Sequence, residues 1–312
     1  MTNIVVSLIV PMFNERETIN LFFSTVTPIL AALSVSYEII CINDGSNDNT
    51  LELLLEARKK NDRIKIIHFT RNFGKEAALS AGLDKCIGQC AIPMDVDLQD
   101  PPDLIPIMLE KWREGYQNVL AVRKERDSDG TFKKMTSGLF YRFFNLFSER
   151  KIVENAGDFR LLDRAIIDYV CQLKEKNRFM KGLLSWPGGS QAVIFYAREE
   201  RVAGKTKWNY FKLWQFAIDG ITAFSNMPLK IWSYVGGMVA LGAFLYAIEV
   251  ILKYLISGEQ VRGYPSLMVS ILFLGGIQLI SIGVLGEYLA RIFQEVKQRP
   301  IYLIDKTYGI EE

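Results

Sequence analysis

Two long apolar stretches near the C-terminus constrain the fold of this chain most strongly. Residues 231–252 carry one charge, Glu249, close to their end, and residues 264–286 carry none. A helix of about 20 residues crosses the roughly 30 Å hydrocarbon core of a bilayer. We therefore predict two transmembrane helices, at 231–253 and 264–287. A pair of buried helices in a globular core is the alternative.

Basic residues around these stretches predict their orientation. They flank the first stretch and follow the second, whereas the connecting loop contains only Arg262. Because positive residues favour the cytoplasmic side, we expect the loop outside, both termini in the cytoplasm and residues 288–312 as a cytoplasmic tail. The amphipathic segment 209–230 is predicted to lie on the membrane surface. A second one, 132–151, either does the same or packs on the soluble core.

The N-terminal part alternates between short β-rich runs and helical patterns. The predicted strands are 5–11, 37–43, 64–69, 90–95 and 118–122. The helical patterns between them are 15–33, 50–60, 75–86 and 102–115. This alternation predicts an α/β domain, Rossmann-like, with a mainly parallel sheet covered by helices on both faces. The first apolar run lacks a preceding basic region, so it is interpreted as a strand and not as a signal peptide.

Polar motifs follow three of the predicted strands: Pro11–Glu15, Asn43–Ser46 and Asp95–Asp97. Ligands of open α/β sheets bind beyond the carboxyl ends of the strands, so these motifs are expected to converge. The sequence contains no GxGxxG or GxxxxGK[ST] motif, which removes the main support for dinucleotide binding or a P-loop. With a net charge of +2 and one histidine, His68, neither a nucleic-acid partner nor a histidine-rich metal site is expected.

The acidic pair Asp95 and Asp97 is the most informative motif. Two carboxylates spaced i, i+2 at a strand end can bind Mg²⁺ or Mn²⁺, which prefer oxygen ligands and bridge to diphosphates. Asp44 can hydrogen-bond a base or a ribose. Alternatively it forms a turn that caps the next helix, although Ser46 or Asp48 can do the same.

Six motifs in this order resemble the family 2 glycosyltransferases. They are VPMFNE (10–15), NDGSNDNT (43–50), RNFGKEAAL (71–79), DVDLQDPP (95–102), GDFRLLDR (157–164) and RVAGKTKW (201–208). The nearer resemblance is to polyprenyl-phosphate glycosyltransferases such as dolichol-phosphate mannose synthase. Nearest are the bacterial bactoprenol glucosyltransferases of O-antigen modification, the GtrB type. The likeness extends over essentially the whole chain, the two C-terminal stretches included.

The resemblance implies a GT-A fold over residues 1–208, a nucleotide-sugar donor, most simply UDP-glucose, and undecaprenyl phosphate as acceptor. It assigns nucleotide-sugar binding to Pro11, Phe13, Glu15, Asp44, Asp95 and Val96, and Mg²⁺ or Mn²⁺ to Asp95 and Asp97. The family more often has Tyr at position 13. It assigns catalysis to Asp97, Gln99 and Asp158, and phosphate or acceptor binding to Arg123, Arg201 and Lys207. Arg71 is a weaker candidate for phosphate.

The implied chemistry is a metal-dependent transfer with inversion. The acceptor phosphate is already an anion near neutral pH, so a general base is dispensable. What remains is charge neutralisation of the leaving group and in-line positioning. Asp158 is either a base that orients the acceptor or a residue that holds Arg160 or a loop in place. By analogy, the basic loop from Arg201 acts as a mobile lid.

Several alternatives stay open. The same reaction with GDP-mannose, UDP-GlcNAc or UDP-formamido-arabinose is one. A processive polysaccharide synthase is disfavoured because no QxxRW motif is present. A non-catalytic nucleotide-sugar-binding membrane protein is a third. The resemblance also implies a bacterial inner-membrane location, a homotetramer, and a flippase and a downstream glycosyltransferase as functional partners.

Overall fold

The first third of the chain alternates strands and helices as its hydrophobic pattern predicts. The computed structural model describes residues 4–123, 153, 156–176, 178–196, 227–257 and 263–310. Its first elements are β1 (Val6–Met12), α1 (Ile19–Ala32), β2 (Tyr37–Asn43), α2 (Thr50–Lys60), β3 (Ile64–Phe69), α3 (Lys75–Lys85), β4 (Cys90–Pro93), α4 (Leu104–Arg113) and β5 (Asn118–Arg123). The predicted bounds of α2, β2 and β3 are confirmed residue for residue.

The later elements were not predicted individually, apart from the two long helices. They are β6 (Ala156–Asp163), α5 (Arg164–Gln172), α6 (Met180–Leu183), β7 (Gln191–Tyr196), α7 (Met227–Ser257), α8 (Tyr264–Lys297) and β8 (Ile304–Tyr308). The amphipathic segment 132–151 lies outside the described residues, as does 209–226 of the predicted surface helix. The remaining residues 227–230 begin α7.

One mixed sheet organises the N-terminal part, with strand order β7-β5-β6-β4-β1-β2-β3-β8. Strands β4, β1, β2 and β3 run parallel to one another. Strand β6 lies antiparallel between β4 and β5, and β8 lies antiparallel to β3 at the edge. The prediction of a mainly parallel sheet is confirmed. Because β4, β1, β2 and β3 share a direction, the loops at their carboxyl ends emerge at one edge.

The core explains why these strands are continuous apolar runs. All seven residues of β2 are buried, as expected for a strand with helices on both faces. Helix α1 contributes Phe22, Val26 and Leu30, which follow helical spacing and are fully buried. On α3, a Cβ at Gly82 would lie 2.3 Å from the side chain of Ile9, so this helix approaches the sheet closely. That close packing holds α3 against the sheet through its C-terminal half.

A second compact unit, residues 221–298, contains α7 and α8. The apolar stretches Ile231–Leu252 and Ser266–Lys297 have mean hydropathies of 2.1 and 2.2, and both are long enough to cross a membrane. Large apolar side chains on both helices are exposed, including Tyr234 at 71% and Leu272 at 69%. Helices that are apolar all round are buried either in a protein core or in lipid. Their exposure here favours lipid.

The residues after α8 return to the first unit instead of forming a free tail. Strand β8 pairs with β3, and the ring of Tyr302 stacks on Phe69 with centroids 5.2 Å apart. The Tyr302 hydroxyl also donates a hydrogen bond to Asp84 at 2.7 Å. Residues 299–312 belong to the same unit as the N-terminal sheet. The α7–α8 hairpin is therefore connected at both ends to one folded domain.

Candidate active site

The loops that follow β1 and β2 are joined by hydrogen bonds at the carboxyl edge of the sheet. The Asn14 amide nitrogen donates to Ser46 Oγ at 2.9 Å, and the Asn47 nitrogen donates back to Asn14 Oδ1 at 2.9 Å. The Glu15 nitrogen donates to Thr50 Oγ1, also at 2.9 Å. The predicted convergence of these two motifs is confirmed. Pro11 and Phe13 lie half-buried beside this junction.

Asp44 connects the loop after β2 to the loop after β3. It is 3% exposed, and its two oxygens accept hydrogen bonds from the backbone nitrogens of Phe73, at 2.7 Å, and Gly74, at 2.9 Å. Burial raises the pKa of Asp44, although both N–H groups act against that rise. At the adjacent Gly45, φ is 62° and a Cβ would lie 2.2 Å from the backbone carbon of Arg71. The two loops are therefore in direct backbone contact.

The start of α2 is held by a different residue. The Thr50 nitrogen donates to Asp48 Oδ1 at 3.0 Å, so Asp48 provides the turn that Asp44 was alternatively expected to provide. Asp44 serves as a clamp on the backbone of Phe73 and Gly74. Each carboxylate oxygen has more than one lone pair, so the clamp leaves Asp44 able to accept from a ligand as well.

Three charged side chains meet at the centre of the site. Lys75 is the first residue of α3, Asp95 follows β4, and Asp158 lies on β6. The Lys75 ammonium lies 2.7 Å from Asp95 Oδ1, 2.9 Å from Asp95 Oδ2 and 2.8 Å from Asp158 Oδ2. One cation thus joins the first acid of the acidic motif to the candidate catalytic carboxylate, although these acids are 63 positions apart in the sequence (158 − 95).

The three groups shift one another's ionisation. Burial acts to lower the pKa of Lys75, but Asp95 and Asp158 raise it above its usual value. Burial acts to raise the pKa of Asp158, yet Lys75, and then Lys181 and Arg160, hold it below the usual range. For Asp95, burial raises the pKa and Lys75 offsets only part of that rise. Asp158 is therefore the more firmly ionised of the two acids.

The loop from Asp95 to Gln99 turns its acids away from the core. Val96 and Leu98 are 5% and 8% exposed and belong to the hydrophobic core, whereas Asp95 and Asp97 are partly exposed. Leu98 adopts a φ of 55°, a left-handed conformation that is strained for a bulky side chain. The Gln99 nitrogen donates to Asp97 Oδ1 at 3.3 Å. Since the Val96 side chain is in the core, only its backbone can contact a donor.

Asp95 and Asp97 can supply some, but not all, of the ligands of a divalent cation. Among the described residues, no group of three or more His, Cys, Asp or Glu side chains could hold a metal alone. Asp95 and Asp97 offer hard oxygen ligands, which suit Mg²⁺ or Mn²⁺. Mg²⁺ commonly takes one or two carboxylates and completes its shell with water and substrate phosphates. The two acids therefore fit an ion that is shared with a diphosphate.

Arg123, predicted to bind phosphate, forms an ion pair with another residue of the acidic loop. Its Nη2 lies 3.1 Å from Asp100 Oδ1, and its Nε donates to the Tyr196 hydroxyl at 2.9 Å. Tyr196 in turn donates to Asp100. Burial acts to lower the pKa of Arg123, whereas Asp100 raises it. Its charge is thus partly neutralised by Asp100. Arg201 and Lys207 lie outside the described residues.

Sequence reasoning did not single out three charged residues near Asp158: Lys75, Glu76 and Lys181. Glu76 accepts a hydrogen bond from the Met180 nitrogen at 3.0 Å, and burial, followed by Asp158, raises its pKa to about 7. Burial lowers the pKa of Lys181, whereas Asp158 raises it. Lys75 and Glu76 belong to the RNFGKEAAL motif, so this motif was the one sequence signal that could have identified them as site residues.

Arg160 does not pair with Asp158 through a hydrogen bond of its own. Its guanidinium is fully buried and donates to the Gly157 carbonyl at 2.7 Å and to Ser185 Oγ at 3.5 Å. Burial lowers its pKa to about 10. The two side chains point to the same face of β6, being two residues apart, and interact electrostatically. Asp158 makes its direct ion pair with Lys75.

Comparison with known proteins gives matches over nearly the full chain. The model for glycosyl transferase family 2 matches residues 7–170, and that for the GtrB C-terminal hairpin matches residues 227–292. An SfII prophage-derived bactoprenol glucosyl transferase of Shigella flexneri is 51% identical over 97% of this chain and 98% of its own length. An uncharacterized glycosyltransferase of Synechocystis is 50% identical over 98% of this chain and 96% of its own length.

Among solved structures, a glucosyl-3-phosphoglycerate synthase from Mycobacterium tuberculosis, in complex with Mn²⁺ and UDP-glucose, is much more distant. It shares 16% identity over 69% of this chain and 75% of its own, with a TM-score of 0.47. That likeness is too remote to bear on the ligands of this site.

Proposed function

The chain belongs to glycosyl transferase family 2, and we propose that it transfers glucose from UDP-glucose to undecaprenyl phosphate. The observation that carries this proposal is the 51% identity to a bactoprenol glucosyl transferase over 97% of the chain. The match includes both the sheet domain and the hairpin. The product is a lipid-linked glucose that can serve as donor for O-antigen or another cell-surface glycan.

The donor is proposed to bind at the junction of the loops after β1, β2 and β4. Pro11, Phe13, Glu15 and Asp44 hold the nucleotide, and Asp95 with the backbone of Val96 lies beside the ribose and the diphosphate. Support comes from the hydrogen bonds that join these loops. A Mg²⁺ or Mn²⁺ ion on Asp95 and Asp97 would supply charge neutralisation for the departing UDP. Gln99 is proposed to lie beside the sugar.

The nucleophile is an oxygen of the acceptor phosphate. Its bond to C1 of glucose forms as the bond from C1 to the β-phosphate oxygen of UDP breaks, and attack from the opposite face inverts C1. No proton has to be removed, since the phosphate is already ionised. Asp158, which Lys75 holds in place at 2.8 Å, is proposed to orient the acceptor. Arg123, Arg201 and Lys207 receive the phosphate, and Lys181 adds a cation close to Asp158.

The two apolar helices of the hairpin support a membrane location. We propose that α7 and α8 cross the bacterial inner membrane and that residues 209–230 lie on its surface. The sheet domain and residues 288–312 are proposed to be cytoplasmic, where nucleotide sugars are made. The pairing of β8 with β3 supports this proposal, because residues on either side of the hairpin belong to one sheet. A homotetramer, a flippase and a downstream glycosyltransferase are proposed as its partners.

Transfer of labelled glucose tests the metal-binding role of the acidic loop. Purified full-length protein is incubated with Mn²⁺, labelled UDP-glucose and undecaprenyl phosphate, and lipid-extracted label is counted. Asp97→Ala is expected to abolish transfer and to keep the wild-type circular dichroism spectrum. Asp103→Ala, an exposed acid at the start of α4 without a side-chain capping bond, is the matched control and is expected to stay active. Transfer at the wild-type rate by Asp97→Ala contradicts the metal role.

A panel of UDP- and GDP-sugars identifies the donor. The proposal predicts transfer from UDP-glucose at least tenfold faster than from UDP-GlcNAc, GDP-mannose or UDP-formamido-arabinose. Faster transfer of another sugar keeps the reaction and changes the substrate. Binding of UDP-glucose without transfer to any polyprenyl phosphate favours the non-catalytic alternative.

A further inference from the structure

The Lys75 ammonium contacts the Asp95 carboxylate, which is also a proposed ligand of the divalent cation. It is within 2.9 Å of both Asp95 oxygens, so this carboxylate is already engaged by a cation. The same ammonium contacts Asp158 Oδ2 at 2.8 Å. A metal ion on Asp95 therefore has to share the carboxylate with Lys75 or displace it.

The position of Lys75 is imposed by the fold. Lys75 begins α3, and a helix N-terminus disfavours a positive charge. The Asp44 clamp holds the preceding Gly74 nitrogen at 2.9 Å, which fixes the backbone from which the Lys75 side chain extends. The carboxylates of Asp95 and Asp158 compensate for the unfavourable helix end. Without Lys75, Asp95 would lose the cation that it contacts, and Asp158 would keep only the more distant charges of Lys181 and Arg160.

The side chains are nevertheless accessible to a ligand. Lys75, Asp95 and Asp158 are 42%, 37% and 18% exposed. A lysine has a flexible four-carbon stem, so its ammonium can move when a ligand arrives. A divalent ion alone would add two positive charges beside the ammonium, and the two cations would repel each other. A nucleoside diphosphate brings its own negative charge and offsets this repulsion.

We propose that Lys75 is a positioning residue that holds Asp95 and Asp158 together and keeps a divalent cation off Asp95 until a nucleoside diphosphate is bound. The inference rests on the proposed function, because it takes the ligand of the site to be a nucleotide donor. It assigns an order to the site: the ion binds with the nucleotide or after it. Lys75 then remains with Asp158 and keeps that carboxylate oriented.

Mn²⁺ binding, followed by electron paramagnetic resonance of the free ion, tests this order without any turnover. Full-length wild-type protein is titrated with Mn²⁺ alone and with saturating UDP. We expect wild type to bind Mn²⁺ at least tenfold more tightly with UDP. We expect Lys75→Met to bind Mn²⁺ alone at least tenfold more tightly than wild type does. Lys75→Arg, which keeps the charge, is expected to behave like wild type.

The controls separate the charge from the fold. Lys75→Gln also removes the charge and gives a second neutral variant, and circular dichroism verifies that both are folded. Lys111→Met removes a surface lysine whose partner is Glu114 and is expected to leave Mn²⁺ binding unchanged. Equal Mn²⁺ affinity of wild type with and without UDP overturns the inference. The inference is also overturned if both Lys75→Met and Lys75→Gln bind Mn²⁺ alone with the affinity of wild type.

Binding of labelled UDP, measured by equilibrium dialysis, distinguishes a wrong role for Lys75 from a wrong proposed function. If UDP does not bind wild-type protein at all, the nucleotide-sugar assignment itself is wrong, and the order of binding fails with it. If UDP binds and Mn²⁺ binding depends on neither UDP nor Lys75, only the role of Lys75 is wrong.

Discussion

Replacing Asp44 with asparagine should destabilise the loop that leads into α3 and Lys75, even without any ligand. Asp44 is 3% exposed and accepts one backbone hydrogen bond on each oxygen, from Phe73 and from Gly74. Asparagine keeps one acceptor and presents an NH₂ group to the other N–H. One hydrogen bond is therefore lost, and one backbone donor loses its partner in a place that water reaches poorly.

The size of the effect follows from these two bonds. A hydrogen bond to a charged group contributes about 1.5–3 kcal/mol, and an unsatisfied buried donor costs about 1–3 kcal/mol. The two ranges overlap, because both include the loss of the same N–H···O contact, so they are not added. We expect the free energy of unfolding to fall by about 2–3 kcal/mol. For a domain of this size, each kcal/mol lowers the thermal midpoint by about 2–4 °C, which predicts a fall of roughly 4–12 °C.

Thermal unfolding of the detergent-solubilised protein, followed by circular dichroism, measures this change. Asp103→Asn, at the exposed start of α4, is the matched control and is expected to unfold within about 2 °C of wild type, as surface substitutions do. An Asp44→Asn midpoint equal to that of the control refutes the clamp. UDP affinity, measured well below both midpoints, then reports separately whether Asp44 also contacts the nucleotide.

Three further predictions concern the rest of the site and the edge of the sheet. Asp158→Asn should lower kcat for glucose transfer by about 10²-fold while KM for UDP-glucose changes little, because Asp158 is proposed to orient the acceptor. An unchanged kcat in steady-state assays counts against this role. The pKa of Glu76 is raised to about 7 from 4.5, so the folded state holds more protons between these values and stability falls as pH rises through that window. Wild type should accordingly lose stability relative to Glu76→Gln between pH 4.5 and 7 in denaturant titrations, and a constant difference contradicts the shift. Tyr302→Ala removes the stack on Phe69 and the hydrogen bond to Asp84, and should lower stability by about 1–3 kcal/mol in thermal unfolding, whereas an unchanged midpoint means that β8 is held by its backbone alone.

The parallel half of the sheet was predictable because its strands are apolar on both faces. In β2 and β3, buried isoleucines form short continuous runs between turn residues, and this pattern is typical of a sheet covered by helices. The pattern fails in β6, where Asp158 and Arg160 share one face of a central strand. A fully buried arginine is rare, so the sequence of β6 is more typical of an exposed loop than of a central strand.

Strand β8 was missed for a different reason. Its sequence, IDKTY, is short and half-exposed and follows a long apolar helix, so its pairing depends on where α8 returns the chain and not on local pattern. Likewise, the edge strand β7 is recognisable only once β5 provides its parallel partner. Such non-local pairings are determined by tertiary contacts.

The candidate site was predictable where motifs follow strands and unpredictable where charges pair. The convergence of Asp44 and Asp95 at one edge follows from parallel topology. Which cation meets which acid does not, because a lysine at a helix start is usually a solvated charge. Lys75 between Asp95 and Asp158, and Arg123 on Asp100, emerge only when β6 is inserted beside β4.

Formation of a single lipid-linked hexose is the most direct test of the central claim. Full-length protein in vesicles that contain undecaprenyl phosphate is supplied with UDP-glucose and Mn²⁺, and the extracted lipid is analysed by mass spectrometry and NMR. The account predicts undecaprenyl phosphate carrying one glucose in β linkage, inverted relative to the α-linked donor. An α-linked product, a lipid carrying a glucose polymer, or UDP release without any glycosylated lipid would contradict it.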